Sequence, residues 1–247
     1  MIIDVHNHIG RSGDGCESRL EDLFRAMEAG GVDRTVLFPV DDKAEGAGYR
    51  SANDRVLEAA QQHPGKIIPF CRVKPAEGEP ALQELRRCAE RGHRGVKLHP
   101  RSDEFSPGQA HGVLELAQEL GLRVVIHTEK EENCRPDEWR PFFEEFQGIH
   151  FLITHGGKGT YRTLHEVIGH LRNVWVDTSV LSMFRTSFIM QHLGLDRIVY
   201  GTDFPYSHPL LETKKHELIL SEADDRDRVF YRNALDFLGE VKGAFLL

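Results

Sequence analysis

A closed barrel of eight parallel β-strands, each followed by a helix, is the fold that this sequence predicts. Three observations lead there. Short apolar runs alternate with helical segments along the chain, the signature of βαβ units and a parallel sheet. About eight such runs occur, which suggests a closed TIM-type (β/α)8 barrel over an open sheet. The 247 residues suit one α/β barrel, and no linker, low-complexity stretch or break in composition divides them, so residues 1–247 read as a single domain.

The strands are expected at 2–6 (IIDVH), 34–40 (RTVLFPV), 66–73 (KIIPFCRV), 94–99 (RGVKLH), 122–127 (LRVVIH), 149–155 (IHFLITH), 173–177 (NVWVD) and 197–202 (RIVYGT). They are short and rich in Val, Ile and Phe, as strands buried on both faces should be. Between them, residues 19–30 place Leu20, Leu23, Phe24 and Met27 on one helical face and stop at Gly30-Gly31. Residues 80–92 and 109–121 repeat the design, with Gly92 and Gly121 as stops. Further helices are expected at 160–171, 185–194 and 210–220, and a last one at 224–238 closes the chain.

Composition removes several functions. The net charge of −8 leaves no basic excess to meet phosphates, so neither nucleic acid nor an anionic membrane is an expected partner. No run of about 18 apolar residues occurs, so no membrane-spanning helix is expected. The start of the chain lacks a basic segment followed by an apolar one, so no signal peptide is expected either. Cys16, Cys71, Cys88 and Cys134 fit neither a zinc ribbon nor a disulfide framework; free thiols in a reducing cytoplasm is the reading taken.

The chemistry begins at residues 2–10, IIDVHNHIG. Strand side chains alternate, so Asp4, His6 and His8 are expected to point together while Ile3 and Val5 pack away from them. An unsatisfied buried polar group costs roughly 2–7 kcal/mol. Two adjacent imidazoles therefore need carbonyls, water or a shared divalent cation. Three further strands end in a group of the right kind: VVIH at His127, FLITH at His155 before Gly156-Gly157, and RIVYGTD at Asp203. In a parallel barrel the carboxyl ends of the strands share one rim, where these groups converge. Their agreement favours a metal over satisfied core histidines.

His-x-His on the first strand, His on the fifth and sixth, and Asp on the eighth resembles the amidohydrolase superfamily. DVHNH at 4–8, GVKLHP at 95–100, THGG at 154–157 and YGTDFP at 200–205 are similar to its amidohydrolase-2 branch. That branch holds metal-dependent hydrolases, lactonases, hydratases and non-oxidative decarboxylases related to aminocarboxymuconate-semialdehyde decarboxylase. RVFYRNALDFLG at 228–239 is similar to the group's terminal helix. The resemblance implies that His6, His8, His127 and Asp203 hold one divalent ion, zinc first and manganese as the alternative. It makes His155 and Asp203 the catalytic pair. A second metal bridged by carboxylated Lys97 is the less favoured arrangement.

The activity expected first is hydrolysis of a small amide, lactone or other ester by metal-activated water. The alternative, built from the same parts, is decarboxylation of a small carboxylic acid. Lys97 reads either as an ammonium paired with a carboxylate such as Asp4 or as a contact to an anionic substrate or to the metal shell. Arg72, Lys74, Arg101 and Lys158 lie on or just after strand ends, where an anionic substrate would meet them. Asp177 reads first as a helix N-cap and second as an orienting group for a ligand histidine. Cys16, Glu129 and His208 lie on loops of the same rim. The substrate-choosing loops are 9–17, 41–50, 100–107, 128–137, 178–184 and 203–211. A PHP-type phosphoesterase would need more His and Glu ligands, and a TatD-like nuclease a glutamate where Lys97 stands. Nothing that catalysis needs is missing, which disfavours a non-catalytic metal binder. A homodimer is the default assembly.

Overall fold

All eight predicted runs form strands in the computed structural model, which describes residues 1–40 and 48–240. Most of the substrate-choosing loop expected at 41–50 lies outside the described residues. The strands are β1 (Ile3–Arg11), β3 (Arg34–Pro39), β4 (Ile67–Arg72), β5 (Gly95–Leu98), β6 (Arg123–Ile126), β7 (Phe151–Ile153), β8 (Val174–Asp177) and β9 (Ile198–Val199). A short unpredicted strand, β2 (Glu17–Ser18), pairs antiparallel with the end of β1. The sheet runs β2-β1-β3-β4-β5-β6-β7-β8-β9, and every pairing from β1 to β9 is parallel.

The sheet curls until its ends meet. Val5 N–H donates to Tyr200 O at 3.0 Å, Asp203 N–H to His6 O at 2.7 Å, and His8 N–H to Phe204 O at 3.0 Å. First and last strands thus share backbone bonds, and the barrel avoids the exposed edges of an open sheet. The same three bonds bring the His-x-His segment beside Asp203.

Helices wrap the outside: α1 (Leu20–Gly30), α2 (Arg50–Gln62), α3 (Glu79–Arg91), the single turn α4 (Pro100–Asp103), α5 (His111–Glu119), α6 (Pro136–Glu145), α7 (Leu164–Ile168), α8 (Met183–Leu193) and α9 (Pro209–Ile219). The expected terminal helix is realised as α10 (Ala223–Asp227), a π turn over 228–232 and α11 (Asn233–Leu238). Besides the single turn α4, two helices, α2 and α6, escape the sequence pattern. In α2 the buried face is mostly Ala52, Val56, Leu57 and Ala59, a thin apolar stripe. In α6, Pro136 opens the helix where proline is tolerated, but Pro141 lies inside it and masks the helical pattern.

Strand parity explains the core. Val96, Leu98, Val124, Ile126, Phe151 and Ile153 join the cluster packed under the helices. Alternate residues Phe38, Phe70, Val125, Leu152, Trp175 and Val199 form a second cluster, together with Leu235, Phe237 and Leu238 of α11. Gly95 is needed where these strands crowd: a Cβ there would lie 2.3 Å from Phe70 Cε2 and 2.6 Å from Arg123 O.

One expectation for β1 fails. Ile3 and Val5 belong to that second cluster, and Asp4 does not point with His6 and His8. Its carboxylate accepts from Thr202 Oγ1 at 2.6 Å and from Thr202 and His6 N–H, both at 3.1 Å. The pairing of β1 with β3 shifts register between Asp4 and Asn7. That shift breaks the strict alternation, so Val5 and His6 both serve the interior. Among the described residues no helix is long and apolar enough to cross a membrane.

Candidate metal centre and active site

The carboxyl ends of the strands frame a pocket of about 570 Å³, the size of a small-molecule site. His8, Lys97, His99, His127, His155 and Asp203 line it, with Arg72, Arg101, Lys158, Val180 and Tyr206. Four non-glycine residues at this mouth have positive φ: His155 (58°), Lys158 (25°), Val180 (56°) and Asp203 (59°). Such strain costs of order 1–3 kcal/mol per residue and gathers where geometry serves function.

His6, His8 and Asp203 converge most tightly. One ligand atom from each lies within 4.8 Å of the others. Asp203 Oδ1 is 3.1 Å from His6 Nε2 and 3.1 Å from His8 Nε2. The far nitrogens of both rings face acceptors: His6 Nδ1 is 3.0 Å from Asp177 Oδ2, and His8 Nδ1 is 3.5 Å from the Pro39 carbonyl. Rings that donate from Nδ1 present the Nε2 lone pair to Asp203. Two lone pairs and a carboxylate oxygen then point at one volume, an arrangement a divalent cation resolves. The donor set of imidazole and carboxylate fits zinc and manganese alike.

Electrostatics agree with an ionised carboxylate among histidines. Burial alone would raise Asp203, but His6 and His155 hold it well below the usual carboxylate range. Burial and the Lys97 charge oppose protonation of His6, yet Asp203 and Asp177 outweigh them and raise it. Burial pushes His8 down to about 4 and His155 down to about 3, so both are neutral near pH 7. Burial also raises Asp4 to about 7.

His155 follows strand β7 and sits over the same carboxylate, with Nε2 3.9 Å from Asp203 Oδ2. Its Nδ1 is 2.9 Å from Ser179 Oγ, whose hydroxyl donates to Asp177. Ser179 therefore accepts from Nδ1–H, and the Nε2 lone pair of His155 is left toward Asp203. His6, His155 and Asp177 form a second trio of converging ligand atoms. His127 reaches the same pocket, its ring centroid 5.0 Å from His155, but it is absent from both trios. It stacks on His99 at 3.8 Å, and its Nε2 is buried without a hydrogen bond, 3.4 Å from Glu129 Oε1.

Other sequence readings move. Asp177 is not the cap of the following helix; Ser182 caps α8. Asp177 instead binds His6 through Oδ2 and takes the His155 and Ser179 N–H groups on Oδ1. Lys97 does not pair with Asp4: its Nζ is 3.4 Å from His6 Nε2 and 4.8 Å from the centre of the Phe38 ring. Burial lowers Lys97 to about 7. His208 is the N-cap of α9, its side chain accepting from Leu210 N–H at 3.2 Å. Glu129 is buried and pairs with Arg101 at 2.8 Å. Ser179 carries no motif of its own; its place two residues after the strand-end Asp177 is the signal that points to it.

Comparison with known proteins fits this geometry. The chain belongs to the amidohydrolase family of the amidohydrolase-2 branch, whose family model matches residues 3–239. It is 21% identical over 235 residues to a 2-amino-3-carboxymuconate-6-semialdehyde decarboxylase from Dictyostelium discoideum. That match covers 76% of this chain and 65% of the relative, so the chain spans just under two thirds of the relative's length. Among solved structures, an amidohydrolase from Burkholderia multivorans with bound zinc superposes with a TM-score of 0.77 at 15% identity, covering 98% of this chain and 100% of that one. A dihydroxybenzoic acid decarboxylase from Polaromonas, with bound manganese and the inhibitor 2-nitroresorcinol, gives 0.73 at 16% identity, covering 96% of each chain. Both solved structures share the barrel fold.

Proposed function

We propose that this protein is a metal-dependent, non-oxidative decarboxylase of a small carboxylic acid. The observation that carries a metal-dependent reaction is the meeting of His6 Nε2, His8 Nε2 and Asp203 Oδ1 beside His155. Similarity to the Dictyostelium decarboxylase supports decarboxylation over the hydrolysis that the motifs suggested first. His6, His8 and Asp203 would hold one divalent ion, with His127 as the fourth ligand. Zinc is the first choice and manganese the alternative; each occurs in one of the related barrels. The ion would supply Lewis acidity toward an oxygen of the bound acid.

The protein's own groups do the rest. Decarboxylation breaks one C–C bond, leaves the electron pair on the retained carbon and needs one proton there. Asp203 and His155 stand 3.9 Å apart, beyond hydrogen-bond reach of each other, and both line the pocket, so either is placed to pass that proton to the substrate. Asp177 and Ser179 fix the rings that face the substrate. Val180 and Tyr206 give the mouth an apolar side where a carboxylate loses its charge as carbon dioxide.

The test is turnover by metal-loaded protein on aromatic and short-chain carboxylic acids, read as carbon dioxide released, beside a panel of esters, lactones and amides. Release from at least one acid is expected. Hydrolysis of the second panel with no carbon dioxide from the first would return the reaction to the hydrolases.

A further inference from the structure

Helix α9 is built inside out. Its side toward the barrel is polar: Glu212, Thr213 and His216 are buried. Each has a partner there. Glu212 takes the Val180 N–H at 3.2 Å and the Ser207 hydroxyl at 3.0 Å, and so ties together the two loops that reach the pocket at Val180 and Tyr206. Thr213 donates to Gly30 O at 2.9 Å, and His216 Nε2 meets Thr178 Oγ1 at 3.1 Å. The side toward solvent carries the leucines. Leu211 is 66% exposed and Leu218 73%, with Leu210 also open. A surface helix ordinarily shows the reverse pattern.

The start of α8 extends this apolar surface. Lys215 Nζ donates to Leu181 O at 3.1 Å, which sets the first turn of α8 beside the middle of α9. That turn exposes Met183 and Phe184, the latter by 66%. With Tyr206, six of the seven large apolar side chains exposed among the described residues fall between positions 183 and 218. Single exposed apolar residues are ordinary, but a cluster on neighbouring helices marks a contact surface.

Charge selects the occupant. The chain carries −8 overall, yet the exposed charges of α9 are one of each sign, Lys214 and Glu217, paired at 2.6 Å. Another negatively charged copy therefore meets no unbalanced like charge on this helix. The stripe is also self-complementary. Leu211 and Leu218 stand about two turns apart, with Lys214 and Glu217 between them. Two α9 helices laid antiparallel across a two-fold axis bring each Leu211 toward Leu218 of the second copy. The same placement brings each Lys214 toward Glu217 of the second copy, as a two-fold interface requires of its patch.

We propose that the α8–α9 face is a homodimer interface, occupied by a second copy of this chain with its α9 antiparallel across the axis.

The experiment is sedimentation velocity of the full-length, metal-loaded protein at micromolar concentration. The wild type is expected at twice the 28.1 kDa chain mass. Leu211→Glu combined with Leu218→Glu is expected to sediment as a monomer, with its circular dichroism and metal content unchanged. Should that variant fail to fold, Lys214→Cys decides, because the position lies next to the axis. Mild oxidation should link Lys214→Cys into a disulfide dimer in much higher yield than the wild type. A monomeric wild type would overturn the proposal, whether or not another macromolecule binds this face. So would a dimer that survives the double substitution, or a Lys214→Cys variant that links no more than the wild type.

Discussion

Asp177 Oδ2 lies 3.0 Å from His6 Nδ1, while Asp203 Oδ1 meets the other nitrogen of the same ring at 3.1 Å. Burial would raise both carboxylates, but their contacts with His6 hold them ionised. The ring is thus fixed in tautomer and direction by a group that also takes the backbone N–H of His155. Asp177→Asn removes the charge and keeps the shape. We expect divalent metal affinity to fall about 10–100-fold, read by competition with a chelating dye. Unchanged affinity would mean that Asp177 is only a turn residue.

Gly201 stands where Asp177 and His6 leave little room. A Cβ there would lie 3.0 Å from Asp177 Cβ and 3.2 Å from His6 Cβ. Gly201→Ala is expected to cost about 1–3 kcal/mol in denaturant unfolding by overpacking. Because the strain falls on the pair that orients His6, metal affinity should drop alongside stability.

His155 separates ligand from acid–base roles. Its Nδ1 is committed to Ser179 and its Nε2 stands 3.9 Å from Asp203, farther than His6 or His8. His155→Gln should therefore keep near-stoichiometric metal while turnover falls about 10²–10⁴-fold, the range for losing a positioned acid or base. Loss of metal together with activity would make His155 a ligand instead.

His216 gives a pH test away from the centre. It is fully buried, with Nδ1 2.8 Å from Glu212 O and Nε2 3.1 Å from Thr178 Oγ1. A carbonyl takes Nδ1–H and the hydroxyl donates to Nε2, so the neutral ring is satisfied. Burial pushes it from 6.5 down to about 4. Between these values the unfolded chain binds a proton that the folded chain refuses. The stabilisation is complete above pH 6.5 and is lost as pH falls toward about 4, up to about 3 kcal/mol. Urea unfolding at pH 7.5 and pH 4.5 should show a steeper loss for the wild type than for His216→Gln. Parallel losses would contradict it.

The sequence made the barrel legible because strands buried on both faces leave apolar runs that turns punctuate. His6, His8, His155 and Asp203 were legible because strand ends share a rim. What escaped depends on pairing between strands. The shift between Asp4 and Asn7 has no local sign, so Asp4 was placed with the histidines. Arg72 and Lys97 are 25 positions apart and become neighbours only through the register of β4 and β5. Asp177 reads as a cap before it reads as a histidine partner because Asp-Thr-Ser carries the same local signature for both; the contact with His6 agrees with the second reading.

The central claim is that His6, His8 and Asp203 grip one divalent ion. Its most direct measurement is elemental mass spectrometry of purified protein, dialysed to remove loosely held ions, for the wild type and for Asp203→Ala. About one zinc or manganese per wild-type chain, lost in the variant, is the predicted result. A wild-type chain that retains no ion after incubation with either metal, or an Asp203→Ala variant that binds as much as the wild type, would contradict it.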